Sequence, residues 1–285
     1  MADDDFNEEL DRMTKKMTGK DLGEWERIHG KGKRPKRRDE HTMPLFPELE
    51  SAMPNHLARS SLFAPIRRGR RGMFDKVKLS SRDDVSIYFS GKQLDMADND
   101  VYLELLRQAQ GRLFGESVPV SRYAILKELG RPTGQAQYKW LHESIRRLTF
   151  AMVDIEATRY KAAFHLIDSF ELDKETGEYV LRIHPEVRKL FARGEYGFIN
   201  LERRRELSRR IDLAKWLQNY ICSHRRGDQQ RVTFAKLHKW TGSSSHLRDF
   251  RRYVTEAMKE LERVGEVEAV EANDNTIAWC RSVDK

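Results

Sequence analysis

The order helix, helix, basic helix, hairpin runs twice along this chain, and no other feature limits its fold so strongly. The second copy is the clearer one. From Thr241 the sequence reads TGSSSHLRDFRRYVTEAMKELERVGEVEAVEA, in which Leu247, Phe250, Val254, Met258 and Leu261 recur at three- and four-residue steps. That spacing lines one face of a helix. Ser243, Ser244 and Ser245 are N-cap candidates, because their hydroxyls can accept a first-turn N–H. Gly265 closes the helix, and Glu266–Ala272 alternates like a short strand. Upstream, Ile211–Ile221 and Val232–Trp240 read as two shorter helices.

The first copy has the same grammar. After a strand at Val85–Phe89, Asp98–Ala109 reads as a helix, and Ser121 caps a second over Arg122–Leu129. Gly130–Gly134 has turn chemistry. The third helix, Gln135–Phe150, carries the stripe Tyr138, Leu141, Ile145 and Leu148. Strands follow at Met152–Ala157, Tyr160–Leu172 and Tyr179–Ile183, with Asp173–Gly177 as a hairpin loop. Val153–Ala157 here parallels Val267–Glu271 there. Two such units predict an α+β fold: two tandem winged helix-turn-helix domains, whose third helices enter DNA major grooves. The expected division is 1–74 as a largely disordered basic arm, 75–190 and 211–285 as winged-helix domains, and 191–210 as a basic linker helix.

Composition agrees. Lys and Arg number 53 against 45 Asp and Glu, a net charge of +8 that suits a polyanion or simple solubility. The arm holds five of the eight prolines and the basic blocks Lys31–Arg38 and Arg67–Arg71, a composition that cannot offset its ordering entropy. Within it lies Thr42-Met43-Pro44-Leu45-Phe46, an expected exposed Leu-Phe plug. It is similar to the pentapeptide by which bacterial replication proteins bind the sliding clamp, with Thr42 in place of Gln and Met43 in place of Leu; the alternative is a chance apolar cluster. Gln93-Leu94-Asp95-Met96 keeps the Gln but lacks the aromatic.

Nothing points to catalysis. No Gly-x4-Gly-Lys-Ser/Thr phosphate loop, His-hydrophobic-His triplet or recombinase set occurs. Cys222 and Cys280 have no paired spacing near histidine, so neither metal nor cofactor is expected. His165, inside AAFHLI, reads as a satisfied core residue, and Tyr123, Tyr138 and Tyr253 as packing residues. No apolar run reaches membrane-spanning length and the start is acidic, so the expectation is a soluble cytoplasmic protein.

The first turns of a third helix approach base edges, which selects Gln135, Gln137 and Lys139 in the first module and Ser244, His246, Arg248 and Arg252 in the second. Arg146, Arg147, Arg251 and Lys259 lie further along, toward phosphates. In the linker, Arg203, Arg204, Arg205, Arg209 and Arg210 either lie on phosphate or form a solvated face. Together the tandem modules, the basic arm and the Leu-Phe plug resemble the iteron-binding plasmid replication initiators, the tandem winged-helix Rep family. The resemblance covers the whole chain. It implies binding to direct repeats at an origin, opening of adjacent AT-rich duplex, recruitment of host initiator, helicase and sliding clamp, and an active monomer beside an inactive homodimer. Exposed basic and aromatic residues suggest some single-strand affinity as well. The rival is a transcriptional repressor that only occupies an operator.

Overall fold

Residues 42–66, assigned above to a loose arm, pack as a strap across the molecule. The computed structural model describes residues 42–66, 71–82, 85–158, 160–208 and 212–283. The basic block Lys31–Arg38, Arg67–Arg70, Arg209 and Arg210 lie outside the described residues. In the strap, β1 (Glu50–Pro54) is buried along its whole length, α1 (Asn55–Ala58) follows, and β2 is Phe63–Ala64. The prolines that argue for disorder cost little here. Pro54 sits at the N-cap of α1 with φ −58°, close to the value its ring imposes.

The next segments are β3 (Met73–Lys78), β4 (Val85–Lys92) and β5 (Leu94–Asp95). Helix α2 (Met96–Ala109) starts two residues earlier than its sequence suggests. Asp95 is its N-cap, and Asp98, at the third position, bonds back to the Asp95 N–H to complete a capping box. Then come β6 (Ser117–Ser121), α3 (Arg122–Glu128) capped by the Ser121 hydroxyl, and α4 (Gln135–Thr149), with Leu141, Ile145 and Leu148 buried. The run Tyr160–Leu172 is two strands. β7 (Met152–Ala157) and β8 (Tyr160–His165) form a hairpin on β4, giving the order β3-β4-β7-β8. β9 (Ile167–Leu172) turns away and pairs with β10 (Glu178–Ile183), giving the order β6-β10-β9.

Between the modules the single linker helix is replaced by α5 (Arg188–Phe191), β11 (Tyr196–Asn200) and the short α6 (Leu201–Glu206). β11 pairs antiparallel with β1, Glu50 opposite Asn200, so the strap supplies the partner that makes the linker a strand. The second module is α7 (Asp212–Cys222), β12 (Gln229–Thr233), α8 (Phe234–Thr241), α9 (Leu247–Arg263), β13 (Val267–Ala272) and β14 (Thr276–Arg281). Its sheet order is β12-β14-β13. This is the β6-β10-β9 arrangement over again, so the repeat is real, but the partner of β13 is β9 and not β7. The alternation of Val153–Ala157 belongs to an inserted hairpin. Gly265, at φ +75°, follows α9 as expected. The serines do not cap it: His246 is the N-cap, with no side-chain bond, while Ser243 and Ser245 bond to each other and His238 Nε2 donates to the Ser245 carbonyl at 2.7 Å.

One buried network fixes the two modules together. Arg204, 3% exposed, lies among α2, α6 and α7. Its guanidinium donates to Asp100 (2.6 Å), Asn99 (2.7 Å), Gln218 (3.0 Å), Asn219 (3.2 Å) and the Lys215 carbonyl (3.2 Å). Lys215 also pairs with Asp100. Burial alone would raise the Asp100 carboxyl, but Lys215 and Arg204 hold it below the usual range. The strap adds its own ties. The Ser51 hydroxyl donates to the Leu103 carbonyl at 2.7 Å, Trp216 Nε1 to the Ser60 carbonyl at 3.0 Å, and Arg59 to Ser223.

His224 sits beside that last contact. Burial, then the nearby Arg59 and Arg82 charges, lowers its pKa to about 4. A folded value below the unfolded one means that the unfolded chain binds the extra proton first. Stability is therefore fully present above about pH 6.5 and is lost as pH falls toward about 4, by on the order of 3 kcal/mol. Urea unfolding of the wild type and His224→Gln across that window should show the slope in the first and a flatter profile in the second.

Candidate nucleic-acid interface

Each third helix buries one stripe and leaves another open. In α9 the buried stripe is Phe250, Val254, Ala257, Met258 and Leu261. The open side carries Ser244, His246, Arg248, Arg252 and Lys259, all exposed. Arg252 lies 5.1 Å from the Tyr253 ring centroid, and Arg251 is only half-buried. In α4, Gln135, Lys139 and Arg146 are exposed. Gln137 is not a free reader, because Arg131 Nη1 donates to its Oε1 at 3.3 Å.

Two of the expected phosphate contacts are interior residues. Arg147 makes an ion pair with Asp98 at 2.7 Å, and Asp98, 0% exposed, also accepts from Ser144 (2.6 Å) and Arg71 (2.6 Å). Burying that carboxylate requires these partners, so Arg147 is spent on the fold. Arg204 is the hub described above. Arg205 is exposed but rests on Glu128, and Arg203 is half-buried with its backbone N–H on the Asn200 cap.

The Leu-Phe plug is also docked. Met43 is 2% exposed and Phe46 9%, with Leu45 alone standing out at 73%. The Met43 N–H donates to the Arg112 carbonyl (2.8 Å), the Phe46 N–H to Gln110 Oε1 (2.9 Å), and the Phe46 ring meets Phe198 edge-on at 6.3 Å. His165 is not satisfied: its Nδ1 is buried without a hydrogen-bond partner among the described residues. Tyr123 is exposed rather than packed.

Two arginines that the sequence reading passed over flank α4. Arg122 opens α3, and its Cζ lies 4.5 Å from the Tyr138 ring centroid; Arg131, in the turn before α4, lies 3.6 Å from that of Trp140. An arginine at a helix start near an aromatic on the next helix was the available signal. Among the described residues no group of three His, Cys, Asp or Glu could hold a metal ion, and no helix is long and apolar enough to cross a membrane.

Two like modules, each with an uncovered basic edge on its third helix, define a tandem winged-helix protein of the kind used to grip duplex DNA. The model of the family described as TrfA protein matches residues 40–282. The chain belongs to that family. Among solved structures it is similar to domains 2 and 3 of RctB, at 14% identity and TM-score 0.53, over 81% of this chain and 99% of that one. It is similar also to the Pi initiator protein in complex with iteron DNA, at 12% identity and TM-score 0.50, over 68% and 92%. At these identities the likeness is one of fold. Comparison with curated protein sequences gives no significant match.

Proposed function

We propose that this protein initiates plasmid replication by binding direct repeats at the origin, with α4 and α9 in successive major grooves. The observation that carries this is the duplicated module, whose two third helices both keep exposed cationic side chains on the side away from the core, joined in α4 by the amide of Gln135. Membership of the TrfA family and the fold likeness to an initiator solved on iteron DNA support it. Several copies side by side would bend the duplex, at a cost of a few kcal/mol by about the elastic estimate, which phosphate and base contacts offset. Opening of AT-rich DNA and recruitment of host initiator and helicase follow from this reading, as do an active monomer and an inactive dimer. A footprint on origin DNA tests it: protection repeating with the direct repeats is expected, and protection indifferent to a scrambled repeat would refute it.

Recruitment of a sliding clamp through Thr42–Phe46 requires Phe46 to leave its seat beside Phe198, with Leu45 as the first point of contact. Leu45→Ala should change stability by less than about 0.5 kcal/mol, since the side chain is exposed. The same variant should lose clamp capture in a pull-down with the purified clamp. Undiminished capture would remove the peptide from the account.

A further inference from the structure

We propose that Arg122 and Arg131 are phosphate contacts of the first module beside Arg146, one on each wall of the groove that α4 enters. The inference rests on the DNA reading above and adds what holds the helix there. Tyr138 and Trp140 are two residues apart on α4, which places them about 200° apart around its axis. Their rings therefore mark opposite flanks of the helix, and each flank carries a guanidinium: Arg122 at 4.5 Å from the first ring and Arg131 at 3.6 Å from the second. A helix lying in a major groove has a phosphate strand on either side of it. The two cations stand where those strands pass.

Both are held in place. Arg131 also donates to Gln137 on α4 at 3.3 Å. Arg122 is also crowded by the β9–β10 turn, where a Cβ built on Gly177 would lie 2.8 Å from its Cζ. Gly177 has φ +72°, so that position favours glycine both for backbone shape and for room. A guanidinium stacked on a ring keeps its N–H edge available, and a fixed plane loses less freedom when it forks onto a phosphate. The tip of the wing supplies little of this itself: Glu171, Asp173, Glu175 and Glu178 are exposed along it, against Lys174 at the turn and Arg182 near the far end of β10. Arg122, delivered from α3, adds a cation beside the largely acidic tip of the wing.

The test uses the full chain and two duplexes of equal length, one with the repeats and one random, titrated across salt concentrations. Arg122→Gln and Arg131→Gln keep a planar polar head near each ring and remove the charge. Each should lower the slope of log affinity against log salt by about 0.9, and the double variant by about 1.8, alike on both duplexes. Gly177→Ala, which changes no charge but displaces Arg122, should lower the slope as Arg122→Gln does. Thermal melting of each variant confirms the fold, and any that fails to fold leaves the decision to the others. Weaker binding with an unchanged slope would make these arginines packing residues and overturn the proposal, as would no change at all. A wild type that binds neither duplex would overturn the DNA reading itself.

Discussion

Arg204→Met should lower the free energy of unfolding by about 3–5 kcal/mol, the cost of removing one partner from a buried ion pair. The expectation follows from what the substitution strands. Methionine fills much of the arginine volume but donates nothing. Among the described residues Asp100 then keeps only Lys215 as a cationic partner, and Asn99, Gln218 and Asn219 lose a shared donor in the interior. Because Asp100 belongs to α2 and Lys215 to α7, the loss falls on the joint between the two modules. Urea denaturation measures the first effect. A second should accompany it: affinity for a site spanning both heads should fall more than affinity for a half-site, since a loosened joint lowers the effective concentration of the second head. A variant as stable as the wild type would mean that the hub is a solvated bystander.

The second large effect belongs to α9. Arg248→Ala with Arg252→Ala should reduce discrimination between the repeat and random DNA by about 1–3 kcal/mol for each arginine that forks onto a guanine edge. Both side chains are exposed on the side opposite the buried Phe250 and Val254. Lys259, two turns beyond Arg252, serves as the contrast. Its loss should weaken binding to both DNAs alike, as a phosphate contact does. Paired titrations on the two duplexes separate these outcomes; equal weakening from the arginine variant would withdraw its base-reading role.

How much of this the sequence carried depends on the distance between partners. The stripes of α4 and α9 are local, repeating within one helix, and the buried residues match them. The duplicated module was legible for the same reason, although the inserted β7–β8 hairpin disguised which strand forms the first wing. Arg147 and Arg204 were misread because a sequence shows charge without its partner. The carboxylates that bury them, Asp98 and Asp100, lie 49 and 104 residues away. The strap failed likewise: Phe46 finds Phe198, and β1 finds β11, across the length of the first module. No local period announces such pairings, and five prolines argue against them. Arg122 and Arg131 were hidden because their importance lies in the rings beneath them.

The claim on which all of this depends is that both third helices occupy major grooves of one duplex at once. Methylation interference at guanine N7 on repeat DNA, run with the wild type, Lys139→Ala and Arg248→Ala, examines it most directly. Two separate patches of interference are expected for the wild type, with Lys139→Ala weakening one and Arg248→Ala the other. A single patch, or two patches that both variants leave intact, would contradict it.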